Sequence, residues 1–387
     1  MLYNIIAISD IHWGAISPIE QEKSLEFIFT FLEESGVAPD LIVLAGDYFD
    51  SKLPLNSQEA ILAIKWFHRL YDYCMENKVT LRLFQGTMDH DNDQLEVFEP
   101  LVNDLFKIFM HTTFEETLPG LHCCYCPDET IVTEEYENMY LSDILKLKDI
   151  GFFHGSFDVV YGDLLESKPE ILKRNNVIYR YDLWNPQIKG PMIAGHWHDG
   201  KRYKELYYCG SPYRWKFNED EEKGFLFIQY DTGDSSYFIK KIINPLCAKY
   251  VTYEVYSNLF ETPEDFTVIV MDIRDLLKKL KDSPMNNQLR ILFYIVDDKV
   301  ENDNFLSALR QEVIDYRNCK ITVKNKLKDK KKKSKVKESK EENEKYGFIF
   351  EKGSKIQNVI HTFILSSNDN EADVPIDYIT DKIKKYL

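Results

Sequence analysis

Eight side chains, Asp10, His12, Asp47, Asp89, His90, His154, His196 and His198, stand in short polar clusters that each follow an apolar run. Five of the nine histidines are among them; the others are His68, His111, His122 and His361. Chance placement rarely concentrates one residue type so strongly. Carboxylate and imidazole donors with no thiolate suit Mn, Fe or Zn better than a soft-metal site. A natural partition is a pair of ions roughly 3.5 to 4 Å apart that share one carboxylate. Such a pair acidifies a shared water and neutralises charge developing on a phosphoryl group, which is what phosphoester hydrolysis requires.

The surrounding elements must bring these clusters together. The run IIAISDIHWG (5–14) reads as a buried strand ending at Asp10 and His12, which in extended backbone point to the same side. An amphipathic helix is expected over 19–35, a strand over 40–44 ending in Gly46-Asp47-Tyr48-Phe49-Asp50, and a helix over 57–77. A strand over 79–84 then leads into Gln85-Gly86-Thr87-Met88-Asp89-His90-Asp91. This alternation predicts an α/β fold of βαβ units, with parallel strands whose carboxyl ends share one edge, where ligands bind. Further on, short β runs lie between 104 and 131 and a helix is expected over 134–147. Strands over 149–153 and 191–194 end at His154 and at Gly195-His196-Trp197-His198, where again two histidines two apart can face the same way. A strand, a Gly-Ser loop and an edge hairpin complete a domain over 1–243.

Asn244-Pro245 marks a boundary, and 244–325 reads as a small separate α+β domain. Residues 324–345, centred on KDKKKKSKVKESKEENEK, have almost no large apolar side chains and read as a mobile insertion. A last segment, 346–387, ends in an amphipathic helix over 376–387.

The chain is 387 residues long, enough for two or three domains. No run approaches the roughly 18 to 20 apolar residues of a membrane span, and the N-terminus enters a strand with no basic leader. A soluble, cytoplasmic protein with no membrane partner is expected. Seven cysteines at irregular spacing argue against a disulfide framework, and Cys123, Cys124 and Cys126 read as buried thiols. The net charge of −16 opposes non-specific nucleic-acid affinity unless a local positive surface, bound cations or a basic partner supplies the attraction.

The ordered series D-x-H, G-D-x-x-D, a third loop ending in H-D, a lone His after a strand, and G-H-x-H resembles the calcineurin-like metallophosphoesterase family over residues 1 to about 243. More narrowly, G-S-P-x-R…F-N-E…K-G-F, from Gly210 to Phe225, is similar to SbcD-type DNA double-strand-break repair nucleases. The third loop, G-T-M-D-H-D-N-D-Q-L, resembles a variant found in phage-encoded members of that branch. The resemblance implies a β-sandwich flanked by helices, a capping domain that recognises DNA, and a C-terminal segment that docks on an SbcC-like coiled-coil ATPase. It further implies a homodimer formed through helices near 57–77 and 95–106.

Carried over residue by residue, the resemblance implies that Asp10, His12, Asp47 and His198 hold one divalent ion, Mn or else Mg. Asp47 would bridge to a second ion held by the third-loop residue, His154 and His196. His90 would protonate the leaving oxygen, and Asp91 would orient its ring. The family has Asn where this chain has Asp89. If Asp89 ligates, it adds a third carboxylate and tightens the second ion; if it points away, that ion is held weakly. Tyr213 and Arg214 are candidates for contact with a phosphodiester backbone. The implied activity is a DNA exonuclease and endonuclease acting on duplex ends and single strands. Two alternatives stand beside it: a phosphomonoesterase or cyclic-nucleotide phosphodiesterase of the same fold, and a catalytically inactive structural subunit.

Overall fold

The structure is a computed structural model that describes residues 1–91, 93–128, 148–162, 178–217, 219, 221–259, 263–281, 287–296, 301–314, 316 and 318–326. The helix expected over 134–147, most of the lysine-rich tract and the segment 346–387 lie outside the described residues.

The strands, in chain order, are β1 (Leu2–Ile8), β2 (Leu41–Ala45), β3 (Thr80–Phe84), β4 (Phe106–Phe109), β5 (Thr113–Leu118), β6 (Leu121–Cys126), β7 (Ile150–His154), β8 (Ser156–Phe157) and β9 (Ile178–Tyr179). They continue with β10 (Met192–Gly195), β11 (Arg202–Tyr203), β12 (Leu206–Tyr208), β13 (Gly224–Asp231), β14 (Tyr237–Ile243), β15 (Tyr250–Tyr256), β16 (Gln288–Ile295) and β17 (Cys319–Asn325). Helices α1 (Pro18–Glu34) and α2 (Gln58–Asn77) connect β1 to β2 and β2 to β3, as the βαβ reading requires, and the short α3 (Met88–Asp91) follows β3. Ser57 caps α2 by accepting a hydrogen bond from Ala60 N at 3.1 Å.

Two six-stranded sheets result, ordered β14-β13-β1-β2-β3-β4 and β11-β12-β10-β7-β6-β5. Their facing sides form one core: Ile5, Ala7, Val43 and Phe84 of the first sheet pack with Tyr125, Ile150, Phe152 and Ile193 of the second. Strand alternation turns the intervening residues outward. Ile6, Ile8, Leu44 and Leu83 pack there against Leu25, Ile28, Phe29, Phe67 and Leu70 of α1 and α2. Across the molecule Cys124, Phe153 and Ala194 pack against Tyr179, Tyr181 and Trp184. The fold is thus an α/β sandwich flanked by helices. One expectation needs correction: the polar clusters do not share a single sheet edge. Those after β1, β2 and β3 belong to the first sheet, and those after β7 and β10 to the second.

The sheet ends meet because glycines let backbone approach closely. A Cβ on Gly195 would lie 2.5 Å from Ala45 O, and one on Gly46, at φ +80, would lie 2.2 Å from His154 Nδ1. Both clashes would pry the two sheets apart where the clusters meet.

The chain divides into two compact units. The larger comprises Met1–Tyr253, Val268–Ile291 and Glu312–Lys320 and holds both six-stranded sheets; the smaller comprises Glu254–Thr267, Leu292–Gln311 and Ile321–Leu387. Strands β15, β16 and β17 form a three-stranded sheet, and helices Pro263–Lys281 and Glu301–Glu312 accompany it in sequence. In the smaller unit the Tyr256 and Tyr294 rings stack with centroids 4.7 Å apart. The residue expected to open a second domain, Asn244, is buried and donates from Nδ2 to Ser24 O and Pro212 O, both at 2.8 Å, so it is tied to the sandwich. Among the described residues no helix is long and apolar enough to cross a membrane.

Gly46→Ala should lower the unfolding free energy by about 3 kcal/mol, from the overpacking and the left-handed backbone together. Gly120→Ala, at φ +74 with no atom within 4 Å of the added Cβ, should cost only about 1 kcal/mol. Chemical denaturation of both variants checks the difference.

Candidate metal centre

The loop after β1 is zipped to the loop after β2. Asp10 N donates to Gly46 O at 3.1 Å, His12 N to Asp47 O at 2.9 Å and Trp13 N to Tyr48 O at 2.8 Å. Strand β1 has already ended at Ile8, so Asp10 and His12 do not converge by strand alternation. They converge because both lie in the left-handed region, at φ 54 and 49, as do Asp47 at φ 49 and His196 at φ 89. Each such residue costs roughly 1–2 kcal/mol relative to ordinary backbone. The surrounding hydrogen bonds must hold that strain. Asp10, fully buried, accepts Ser9 Oγ at 2.5 Å and His196 N at 3.0 and 3.1 Å, which ties the first sheet's loop to the second's.

Three groups of donor atoms emerge among the described residues: His12 with Asp50 and His90, and a first and a second that each draw on both sheets. In the first, the Nε2 atoms of His12 and His198 face each other at 3.1 Å, and Asp10 Oδ1 lies 3.9 and 3.8 Å from them. In the second, Asp47 Oδ2 lies 3.2 Å from His154 Nε2, with His196 completing the group. Asp47 Oδ2 is also 3.6 Å from His12 Nε2, so this carboxylate stands between the groups. The histidines two apart after β10 therefore do not face one point: His196 joins the second group and His198 the first. The turn at His196 separates them.

The donor set fits a divalent cation. His154 Nδ1–H donates to Ala45 O at 2.8 Å, which aims Nε2 at Asp47. That Nε2, buried, has no aligned hydrogen-bond partner among the described residues. His198 Nδ1 is held by Glu219 Oε1 at 3.3 Å, and Lys223 Nζ, buried, meets Glu219 Oε2 at 3.2 Å and donates to His198 O at 2.9 Å.

Electrostatics follow from burial and pairing. Burial opposes charge on His154, yet the adjacent Asp47 carboxylate outweighs it and lifts the imidazole to about 10. Burial alone would raise Asp47, but His154, His12 and His90 hold it well below the carboxylate range. Burial, helped by the neighbouring His154, lowers His196 to about 4 and leaves it a neutral donor. Burial and then the Asp47 charge raise Asp91 to about 7, and burial raises Asp128 to about 6. In the metal-free protein, then, a proton on His154 neutralises Asp47 where a cation would otherwise sit.

Several expected roles meet a different geometry. Asp89 is exposed on α3 and joins neither group, because the helical turn directs His90 and Asp91 inward instead. Thr87 stands beside Asp47, donating from its backbone N to Oδ1 at 2.5 Å and from Oγ1 to Oδ2 at 3.3 Å. Asp91 does not orient the His90 ring: its carboxylate is buried and accepts from Phe49 N at 3.0 Å and Gly86 N at 2.7 Å, clamping two loops. His90 Nδ1 pairs with Asp50 O, and its ring meets that of His12 edge-on at 4.6 Å. Tyr213 is buried, with its hydroxyl donating to Ile11 O at 2.6 Å, so it supports the His12 loop from beneath and cannot reach a phosphodiester. Arg214 spans Glu219 O and Glu221 O at 2.5 and 2.7 Å and shapes the loop that carries Glu219.

Sequence reasoning missed Asp50, Glu219 and Trp215. Asp50 Oδ1 is 3.4 Å from His12 Nδ1, and that contact holds its carboxyl low. Trp215 lies 4.8 and 5.0 Å, ring to ring, from His12 and His198. The second Asp of G-D-x-x-D and the Glu of F-N-E carried the signal for the first two.

Because His154 is protonated at neutral pH, cation uptake by the second group should release about one proton per ion. Apparent affinity should rise about tenfold per pH unit up to about 10. Calorimetric titration in buffers of different ionisation enthalpy checks this. In the metal-free state protonated His154 contributes stability that is fully present below its unfolded value of about 6.5 and is lost as pH rises through about 10, whereas the contribution of Asp47 is lost as pH falls below the ordinary carboxylate range. Glu219→Gln should weaken cation binding by roughly 10- to 100-fold through loss of the His198 support, read in the same titration.

Residues 3–231 match the calcineurin-like phosphoesterase family, more than half of the chain. No curated protein matches. One solved crystal structure aligns at 13% identity over 62% of this chain and 99% of its own, with a TM-score of 0.34, a likeness too slight to carry argument. The family match, set on a sandwich whose strand ends gather two carboxylate–imidazole groups, makes this chain a member of the calcineurin-like metallophosphoesterases, whose chemistry is metal-dependent phosphoester hydrolysis.

Proposed function

We propose that this metallophosphoesterase is a DNA nuclease of the SbcD type, the catalytic subunit of a complex with an SbcC-like coiled-coil ATPase. The observation that carries the reading is the loop from Gly210 to Phe225. Tyr213 and Glu219 press it against the centre, and it sets the Trp215 ring beside His12 and His198 with Lys216 Nζ 3.6 Å above that ring. An aromatic ring capped by a cation beside the donor groups suits the anionic backbone of a polynucleotide. A small phosphomonoester has no use for it. The local cation also answers the objection raised by the net charge of −16.

In this reading Asp10, His12, Asp47 and His198 hold one divalent cation, and Asp47, His154 and His196 hold another, Mn or Mg. When bound, the cations neutralise charge on the phosphoryl oxygens and acidify water. His90, with Nδ1 engaged by Asp50 O, keeps Nε2 for proton donation to the leaving oxygen. The C-terminal segment supplies the ATPase contact, a homodimer forms through α2 and the region 95–106, and the third loop supports a phage-encoded origin with work in the host cytoplasm.

Linear duplex DNA should be degraded in Mn and spared by chelator. His90→Asn should lower the rate by roughly 10²- to 10⁴-fold while leaving Mn binding unchanged. Turnover of a small aryl phosphate diester with no cleavage of any DNA form, even with the ATPase partner present, would favour the small-molecule phosphodiesterase instead.

A further inference from the structure

The group of His12, Asp50 and His90 shares His12 with the first group, and its acid presents two oxygens to two imidazoles. The Asp50 carboxylate Oδ1 stands 3.4 Å from His12 Nδ1, while the Asp50 backbone carbonyl pairs with His90 Nδ1. The His12 and His90 rings meet edge-on with centroids 4.6 Å apart, so one residue reaches both. That residue is itself held in place. Asp50 N donates to Trp13 O at 3.0 Å, and the preceding Phe49 N donates to Asp91 Oδ1 at 3.0 Å.

The consequence lies at the far side of each ring. An imidazole nitrogen gives its lone pair to a cation only when the ring proton is on the other nitrogen, and the group facing that other nitrogen decides the tautomer. His12 is buried, with Nε2 turned to the first group, 3.1 Å from His198 Nε2 and 3.6 Å from Asp47 Oδ2. Its Nδ1 is also out of water and has no aligned hydrogen bond among the described residues. The Asp50 carboxylate is the acceptor in front of it. Once Nε2 ligates, Nδ1 must carry the proton. A carboxylate there accepts that N–H in a charge-assisted bond and places negative charge behind the ligand. His90 needs no such help from the carboxylate, because the carbonyl already engages its Nδ1.

We propose that Asp50 aims both Nε2 atoms into the centre by two separable means: its side chain positions the cation ligand His12, and its main chain positions the proton donor His90. This rests on the metal-centre reading and on His90 as the proton donor. Asp50 is a positioning residue, acting through the two rings.

The test is nuclear magnetic resonance of the full chain, isotopically labelled at histidine nitrogen and loaded with diamagnetic Zn, together with calorimetric Mn titration and the metal-free Tm. In the wild type, exchange-protected downfield Nδ1–H resonances are expected for both His12 and His90. Asp50→Ala should lose the His12 resonance, keep that of His90 and weaken the first Mn by roughly 10- to 100-fold. Asp50→Asn keeps an acceptor oxygen and the shape of the side chain, and carries the test alone if the alanine variant does not fold. It should move the His12 resonance upfield and weaken the first Mn by roughly tenfold. Wild-type His12 resonance and Mn affinity in Asp50→Asn would overturn the proposal. So would loss of the His90 resonance with that of His12 retained in either variant, which would put the carboxylate on the proton donor instead. A fall in metal-free Tm with both resonances and Mn affinity intact, the mark of a purely structural acid, would overturn it as well. A wild type that takes up neither Mn nor Zn would instead sink the metal-centre reading, and an unimpaired His90→Asn the assignment of the proton donor.

Discussion

The structure depends on keeping one charged carboxylate, Asp47, almost wholly out of water. Its side chain is 3% exposed, and an ion so placed costs several kcal/mol unless neighbours compensate. Thr87 N and Oγ1 donate to it, while His154 and His12 bring imidazole nitrogens to 3.2 and 3.6 Å. Each partner comes from a different strand end, so the charge can be satisfied only if β1, β2, β3 and β7 are all in register. The site and the fold therefore stabilise or fail together.

Close approach explains why the loops look as they do. A Cβ on Gly86 would lie 2.0 Å from Asp47 N, so the third loop can touch the second only through glycine. Left-handed backbone at Asp10, His12, Asp47 and His196 turns short side chains back toward a common point without lengthening the loops. Such strain persists where the surroundings over-determine it, and here buried Asp10 and Asp91 do that by accepting backbone N–H groups from other loops, His196 N and Phe49 N, with Gly86 N of its own loop also bonding Asp91.

A second tier of side chains acts on the histidines rather than on substrate. Glu219 and Lys223 fix His198, Ala45 O fixes His154, and Asp50 reaches His12 with its carboxylate and His90 with its carbonyl. Asp50 in particular links a donor of the first group to the residue read as the proton donor. The acidity of the whole chain and the local character of this pocket are separate matters. What governs the chemistry is the arrangement of a few buried charges, because low-dielectric surroundings strengthen them and exposed charges are screened.

Much was legible in the sequence. Apolar runs and helical spacing located α1, β2, α2 and β3 to within a residue or two, and β1 with its start three residues late, since burial of one face imposes such patterns. Polar residues at strand ends named Asp10, His12, Asp47, His90, His154, His196 and His198 as a set, because such residues have no reason to recur there unless strand ends converge. Only the tertiary structure decided how they are divided. That His196 and His198 part company depends on a backbone turn, that Asp89 faces solvent depends on the phase of one helical turn, and that Tyr213 is buried depends on what lies beneath its loop. Local pattern determines which residues reach a strand end; long-range packing determines what stands opposite them.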